Sequence, residues 1–212
     1  VGATSIHERV GTSSTLVTAT LNNISAKVVT VSLQKSGTAL ETTDYTLSGT
    51  ITIAAGTQST SVTLLAKDDT PLDEFDETVI IDMTCDITCT EFGTQKETVT
   101  IVDDDATPTV SLSVGSASIS EAAGVTLITA TLTAAAGRDV TVFLSKNGTA
   151  AEINDYVALD SSIFIPIGIA SASITLTAVD DAVDEADNET VVIEIINVTN
   201  ATVQGTQKQT VN

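Results

Sequence analysis

The sequence predicts an all-β protein that consists of two tandem β-sandwich domains of about seven strands each. Three observations predict this fold class: apolar and polar residues alternate, β-branched residues are abundant, and the same motifs occur twice along the 212 residues. Hydrophobic residues make up 42% of the chain but aromatic residues only 3%. Val, Ile, Leu and Ala must therefore fill the cores, and a chain of this length can bury two of them.

The duplication is visible in short strings that recur at a nearly constant spacing. Thr15–Leu21 recurs as Thr126–Leu132, and Gly37-Thr-Ala39 recurs as Gly148-Thr-Ala150. Further matches at nearly the same spacing pair Asp44-Tyr45 with Asp155-Tyr156, Asp68-Asp69 with Asp180-Asp181, and Gly93–Lys96 with Gly205–Lys208. We therefore expect two domains, residues 1–106 and 107–212, divided at the polar, proline-containing stretch that follows Asp105.

The strands are predicted from a period of two in the apolar residues, which places alternate side chains on opposite faces. Clusters of Gly, Asn, Asp or Ser separate the runs, and this spacing is typical of an antiparallel sandwich. Representative runs are Ile51–Ile53, Ser61–Leu64, Glu97–Ile101 and Ser171–Thr177.

The two copies differ at their ends. Val1–Glu8 aligns with Val114–Glu121, so the first copy lacks a counterpart of the strand predicted at Pro108–Ser113. The second copy stops at the position that matches Thr100. We expect a fragment of a longer array, in which the first domain has a truncated first strand and the second domain a truncated last strand.

The charge balance excludes several classes of partner. The 28 acidic and 8 basic residues give a formal net charge of −20, and such a surface repels phosphate backbones and anionic lipids. We therefore expect no nucleic acid partner. No apolar run approaches the roughly 18 residues that a membrane-spanning helix needs, so we expect no membrane insertion by this fragment. With a single His and no nucleophile elbow, the chain is not expected to be an enzyme.

Acidic residues of the first copy form four groups, each at the end of an alternating run: Glu8, Asp44, Asp68–Glu77 and Asp103–Asp105. If these strand ends meet at one end of a sandwich, carboxylates about 4 Å apart repel by roughly 4 kcal/mol at an effective dielectric constant of about 20. A cation removes this repulsion. Ca²⁺ takes about 6–8 oxygen ligands and tolerates irregular loops, whereas Mg²⁺ demands a tighter octahedron. The pattern favours a calcium site.

The alternative is that the acidic runs are solvated loops that serve solubility. Recurrence of the acids at matching positions in both copies favours a binding site. The loop signatures of EF-hands and of glycine-rich β-rolls are absent.

The recurring strings resemble those of a Calx-β domain over essentially the whole chain. This resemblance implies an immunoglobulin-like sandwich. The family is named for sodium–calcium exchangers, and its members also occur in adhesive and matrix proteins. The strings that carry it in the second copy are Ile119–Gly124, Gly148-Thr-Ala150, Asp155-Tyr156, Ile165–Gly168, and Asp180-Asp181 followed by Glu185 and Glu189-Thr190.

The resemblance also implies a ligand set: an early Glu, the Asp of Asp-Tyr, an acidic loop and a terminal Asp triplet. In the first copy these are Glu8, Asp44, Asp68, Asp69, Asp103, Asp104 and Asp105, with either Asp73 or Glu74 as the later acid of the loop. In the second copy they are Glu121, Asp155, Asp180, Asp181 and Glu185. The second copy has no terminal triplet, so we expect its site to be weak or incomplete.

Cys85 and Cys89 are the two cysteines of the chain. On a straight strand, residues four apart lie about 13 Å apart, too far to be bridged. Across a turn they can pair, so a local disulfide and two free thiols both remain open.

These observations predict a calcium-binding structural or adhesive repeat of a secreted or cell-surface protein, in which calcium stiffens the junction between the domains. The expected partners are calcium, neighbouring repeats, and a surface glycan or protein ligand. One alternative is a regulatory calcium-sensor pair of a membrane transporter. Another is a carbohydrate-binding adhesin module, which the scarcity of aromatic residues disfavours.

Overall fold

The computed structural model describes residues 1–9, 13–68, 74–86, 89–93, 95–122, 124–180 and 188–212. Regular structure in these residues consists of β-strands, and they form two compact units whose division along the chain falls between Asp105 and Ala106. None of the described segments forms a helix of the length and hydropathy needed to span a bilayer. The predicted all-β, two-domain fold is confirmed.

The first unit is a sandwich of two sheets. One sheet has the order β1-β8-β7-β3-β5 and the other the order β2-β6-β4. Neighbouring strands are antiparallel, except that β1 and β8 run parallel. The strands are β1 (Ser5–His7), β2 (Ser14–Thr20), β3 (Val29–Gly37), β4 (Tyr45–Thr46), β5 (Thr50–Ile53), β6 (Ser59–Ala66), β7 (Glu77–Cys85) and β8 (Lys96–Val102).

The second unit repeats this plan. Its sheets have the orders β12-β11-β14-β16 and β13-β10-β9-β15, and β15 pairs with β9 in parallel. The strands are β9 (Thr109–Val114), β10 (Val125–Leu132), β11 (Val140–Gly148), β12 (Ser162–Ile165), β13 (Ser171–Thr177), β14 (Val191–Val198), β15 (Thr202–Val203) and β16 (Lys208–Val211).

The alternation predicted from the sequence determines which face of each strand is buried. Every second residue of β2 is buried and the residues between are exposed, as expected for a strand with one face on a core. Leu64, Val79 and Val99 are fully buried in the first core, and Ile128 and Leu176 in the second. Each such side chain contributes about 1.5–3 kcal/mol by leaving water, which compensates for the scarcity of aromatic residues.

The Gly-Thr-Ala motif joins two strands at one end of each sandwich. Gly37 ends β3 with a φ of 122°, and a Cβ at this position would lie 2.0 Å from the carbonyl oxygen of Thr78. Gly148 has a φ of 123° and the same 2.0 Å approach to Thr190. Glycine is therefore required by both the dihedral angle and the contact. Ala39 N then donates a hydrogen bond of 3.1 Å to Thr78 O, which holds the loop after β3 against the start of β7.

Candidate functional site

A tight loop between β3 and β4 positions the carboxylate of Asp44. Thr42 has a φ of 81°, a left-handed conformation that is strained for a β-branched residue. Its N–H donates to Tyr45 O at 2.8 Å, and Asp44 N–H donates to Leu40 O at 3.0 Å. Asp44 Oδ2 accepts a bond of 2.5 Å from Leu40 N–H, and the residue is only 6% exposed. The loop thus holds a carboxylate in a fixed, buried position.

The second unit builds the same loop around Asp155. Ile153 has a φ of 84° and donates its N–H to Tyr156 O at 2.7 Å. Asp155 Oδ2 accepts a bond of 2.5 Å from Ala151 N–H. The residue at positive φ and the hydrogen bond from a backbone N–H to the aspartate recur together, so this loop geometry is a property of the repeat.

A lysine–glutamate pair anchors each of these loops to its sheet. Lys35 Nζ bonds to Glu41 and to Leu47 O, and Lys146 Nζ bonds to Glu152 Oε1 at 2.5 Å and to Leu159 O at 2.6 Å. The hydrogen bond from Lys146 and a second from Leu159 N–H hold the pKa of Glu152 below its ordinary value. Glu41 and Glu152 therefore help to hold these loops in place.

The end of β6 brings a second acid beside Asp44. Lys67 N–H donates to Asp44 O at 2.8 Å, so Asp68 directly follows the residue bonded to Asp44. In the second unit Val179 N–H donates to Asp155 O at 2.9 Å, and Asp180 follows it. Asp68 is half-buried and Asp180 is exposed.

The ends of β1 and β8 bring further acids to the same side of the first unit. Glu8 N–H donates to Val102 O at 3.1 Å, which places Glu8 beside Asp103. Asp103 N–H donates to Asp76 Oδ1, and Asp105 N–H donates to Asp103 Oδ1, both at 3.2 Å. Glu8 is 3% exposed, an unusual environment for a carboxylate.

Strand directions place both groups of acids at one end of the first sandwich. The acids follow the ends of β1, β3, β6 and β8 and precede the start of β7. The ends of β3 and β8 lie beside the start of β7 because β7 is antiparallel to both, and β1 ends with β8 because the two are parallel. His7 N–H bonds to Ser13 Oγ, and Ala66 N–H bonds to Ser13 O, so β1 and β6 also end together. We call this surface the acidic end of the first unit: Glu8, Asp44, Asp68, Asp76 and Asp103.

The acidic end of the second unit, which comprises Glu121, Asp155, Asp180 and Glu189, contains a cavity of about 190 Å³. Glu121, Asp155 and Glu189 line it, together with Asn188. Three carboxylates and an amide supply hard oxygen donors to the cavity, which is the donor chemistry that Ca²⁺ prefers. The donor types therefore suit a calcium ion, but the oxygen atoms of the three carboxylates do not all lie within 4.8 Å of one another in the described residues.

The tyrosine that follows each loop aspartate has a raised pKa. Burial raises the pKa of Tyr45, and the charges of Glu41 and Asp44 raise it further. Burial likewise raises the pKa of Tyr156, with Glu152 and Asp155 adding to the effect against the opposing charge of Lys146. Each tyrosine is itself buried in its core.

The structure does not gather all the predicted ligands into a closed cage. Asp69, Asp73, Asp181 and Glu185 lie outside the described residues. Among the residues that are described, no three of the predicted carboxylates bring oxygen atoms within 4.8 Å of one another. Asp104, Glu121 and Asp180 are exposed, whereas Glu74 and Asp105 are half-buried.

Two acids at these ends were named in the sequence patterns but were not among the predicted ligands. Asp76 accepts the Asp103 N–H, and Glu189 lines the cavity of the second unit. The signals available were the acidic run Asp68–Glu77, which contains Asp76, and the recurrence of Glu77-Thr78 as Glu189-Thr190, at the start of β7 and shortly before β14.

At the opposite end of the first unit, Cys85 and Cys89 form a disulfide with a Cα–Cα distance of 5.9 Å. Cys85 ends β7, and Cys89 N–H donates to Asp86 O. Of the two alternatives left open by the sequence, the structure has the local disulfide.

Comparison with known proteins identifies a family. The Calx-beta domain profile matches residues 2–105 and again residues 103–211. Among curated proteins, no sequence match was found.

Solved structures give likenesses at low identity. The calcium binding domain CBD12 of CALX1.1 is 16% identical, with 98% of this chain and 96% of that chain covered and a TM-score of 0.43. CBD12 from CALX1.2 is 15% identical with the same coverages and TM-score. The CupB2 chaperone of Pseudomonas aeruginosa is 6% identical, with coverages of 98% and 96% and a TM-score of 0.32. These likenesses carry no functional argument.

Proposed function

The chain belongs to the Calx-beta domain family, and on this premise we propose that it is a calcium-binding structural or adhesive repeat of a secreted or cell-surface protein. The observation that carries the proposal is the acidic end of the first unit. There the buried Glu8 and Asp44 lie on strand ends that also bring Asp68 and Asp103 to the same side of the sandwich. Glu121, Asp155 and Asp180 occupy the matching positions in the second unit.

Electrostatics supports a cation at these ends. Carboxylates at one end of a domain repel one another, and here buried carboxylates occur in a chain of net charge −20. Glu8, Asp44, Asp68, Asp103, Asp104 and Asp105 would hold the ion in the first unit, together with Asp76, which was not among the predicted ligands. When bound, calcium supplies positive charge that relieves the repulsion between these groups.

The proposed role is mechanical. Asp103 to Asp105 directly precede the division of the chain at Ala106, so calcium at these residues would stiffen the segment that joins the repeats. The proposed location rests on the disulfide between Cys85 and Cys89, because disulfides persist in oxidising compartments. A regulatory sensor pair in a reducing compartment would not keep this bond.

Calorimetric calcium titration of the whole chain tests the proposal. Wild type should give a saturable heat, and Asp44→Asn should weaken the tighter binding event by about tenfold or more, equivalent to roughly 1.4 kcal/mol. Glu97→Gln is the matched control, since it removes one charge from an exposed residue at the start of β8, away from the acidic end. Equal titrations for Asp44→Asn and wild type would refute the proposed site.

A further inference from the structure

β13 is the outer strand of its sheet in the second unit, and most of its far side is unpaired among the described residues. On its near side it pairs with β10 over its whole length, Ser171–Thr177. On its far side, the backbone bonds of the described residues lie at its end and beyond. There Thr177 O accepts from Val157 N–H, and Val179 N–H donates to Asp155 O, both at 2.9 Å.

The direction of the peptide groups shows which residues face this far side. Ala170 O accepts a hydrogen bond from Leu132 N–H at 2.7 Å, on the side of β10. Ala178 N–H donates to Gly124 O at 2.8 Å on the same side. The N–H and C=O of one residue point to the same side of a strand, and the side alternates from residue to residue. The residues whose peptide groups point away from β10 form what we call the free edge of β13: Ser171, Ser173 and Thr175.

The free edge of β13 lacks the features that keep edge strands apart. Edge strands are protected by charged side chains, proline or a bulge. The segment Ser171–Thr177 contains neither a charged residue nor a proline, and its pairing with β10 has no bulge. In a chain of net charge −20, this neutral segment lets a second copy approach without like charges directly opposite each other.

β13 is also complementary to itself in antiparallel pairing. With Ser173 opposite Ser173 of the second copy, Ser171 lies opposite Thr175, and the residues of the free edge form hydrogen-bonded pairs. Their side chains are exposed, so hydroxyl groups meet hydroxyl groups across the axis, a favourable cross-strand pairing. On the inner face, the half-buried Ile174 lies beside Ala172 of the second copy.

Two exposed apolar side chains flank the free edge, one at each end. Val157, which bonds to Thr177, is 52% exposed, and Ile169, two residues before Ser171, is 48% exposed. In the register given above, Ile169 of the second copy comes opposite Thr177, where Val157 lies. A twofold axis repeats this contact at the other end. The symmetric pair therefore brings both exposed apolar side chains of each copy into contact.

The first unit has the same edge but polar flanks. The alternation of exposed and half-buried residues along β6 matches that along β13. Thr46 and Thr57 occupy the positions of Val157 and Ile169, at the spacing of the duplication. The apolar flanks are thus a property of the second unit, and they favour β13 over β6 as the contact.

We propose that the free edge of β13 is an interaction surface for a second copy of this chain, which pairs through the same edge about a twofold axis at Ser173. Main-chain hydrogen bonds provide affinity, and the contacts between Val157 and Ile169 determine the register. An edge of this length buries less than about 1,000 Å² in total, so we expect weak, reversible association. This inference does not depend on calcium.

The test is sedimentation analysis of the whole chain in chelator, at concentrations up to about 1 mM, which corresponds to roughly 4.1 kcal/mol of binding free energy. We expect a reversible equilibrium between monomer and dimer. Because both copies are strongly negative, added salt should strengthen the dimer by screening their repulsion. A wild-type chain that stays monomeric up to this concentration would overturn the proposal.

Ser173→Pro removes the N–H at the proposed axis. This N–H faces away from β10, so the pairing within the unit is retained, and the dimer should weaken by at least about tenfold. Ser61→Pro is the matched control at the same position of β6 and should dimerise as wild type does. Equal effects of the two variants would overturn the proposal, since the contact would then not be specific to β13.

A double variant keeps the test decisive if Ser173→Pro does not fold. Val157→Thr with Ile169→Thr gives the second unit the polar flanks of the first and alters only exposed side chains. The dimer should weaken by at least about tenfold, because the apolar contacts at both ends are lost. A Kd equal to that of wild type would contradict the proposed register.

Discussion

The two units are alike at their acidic ends and differ at their opposite ends. Both acidic ends have a glycine at a strongly positive φ, a strained β-branched residue and a loop aspartate that accepts a backbone N–H. At the opposite ends, the first unit has a disulfide, whereas the second unit contains no cysteine. The loop geometry at the acidic ends therefore belongs to the repeat, whereas the disulfide belongs to the first copy alone.

The acidic ends are not identical in charge. Asp76, which accepts the Asp103 N–H, is replaced by Asn188 in the second unit. Glu8 is buried beside the end of β8, whereas its counterpart Glu121 is exposed. One scaffold therefore holds two acidic clusters of different negative charge.

The largest expected effect tests the shared scaffold. Gly37→Ala and Gly148→Ala should each destabilise their own unit by about 3 kcal/mol or more, because the new Cβ meets a backbone carbonyl and φ is positive. Gly56→Ala is the control: φ is 80° but nothing lies within 4 Å, so the cost should be nearer about 1 kcal/mol. Urea unfolding measures all three. If only one of Gly37→Ala and Gly148→Ala destabilised its unit, the two loops would not be structurally equivalent.

Calcium should stabilise the first unit more than the second. At about a hundredfold excess over its Kd, a ligand that binds only the folded state adds about 2.7 kcal/mol. The second unit, with Asn188 in place of Asp76, should gain less at the same concentration. Differential scanning calorimetry with calcium and with chelator measures both transitions. Equal shifts would show that the difference in charge has no consequence.

Reduction of the disulfide should act on the first unit alone. Opening a loop closed by residues four apart costs about 2 kcal/mol by loop-closure entropy, and the second unit contains no cysteine. Thermal unfolding with and without a phosphine reductant measures the effect. A shift of the second unit's transition would contradict this assignment.

Relief of backbone strain should stabilise both acidic ends. Thr42→Gly and Ile153→Gly remove a β-branched residue from positive φ. Because the strain is of order 1–3 kcal/mol and glycine costs about 0.5–1 kcal/mol in entropy, each unit should gain about 1 kcal/mol. A loss in either unit, measured by urea unfolding, would show that the side chain contributes packing that outweighs the strain.

The smallest effect concerns high pH. Burial raises the pKa of Tyr45 and of Tyr156 above the ordinary value of 10.0. The folded state therefore retains these protons longer than the unfolded state does, and stability falls as the pH rises from about 10 through the raised values. Tyr45→Phe should flatten this fall for the first unit and leave the second unchanged, as unfolding midpoints across this pH range would show.

Much of the fold could be predicted from the sequence. Alternation identified β13 at Ser171–Thr177 with the same bounds as the structure, because a half-buried strand imposes a period of two. The short strands β4 and β15 have two residues each, too few to show a period. Positive φ at Thr42 could not be predicted, since the local preference of a β-branched residue opposes it and tertiary bonds impose it.

The candidate site was predicted less completely. Strand ends indicated that Glu8, Asp44 and Asp103 would lie on one side, because sandwich topology brings those ends together. Asp76 was not among the predicted ligands because its contact with Asp103 depends on the register of β7 and β8, which alternation alone does not determine. Spacing likewise did not reveal that Glu8 would be buried.

A crystal structure of the chain with calcium tests the central claim most directly. The account predicts an ion at the acidic end of the first unit, with oxygen atoms of Glu8, Asp44 and Asp103 at about 2.3–2.6 Å. A calcium-saturated crystal in which these three carboxylates contact only water and protein, with no ion between them, would contradict it.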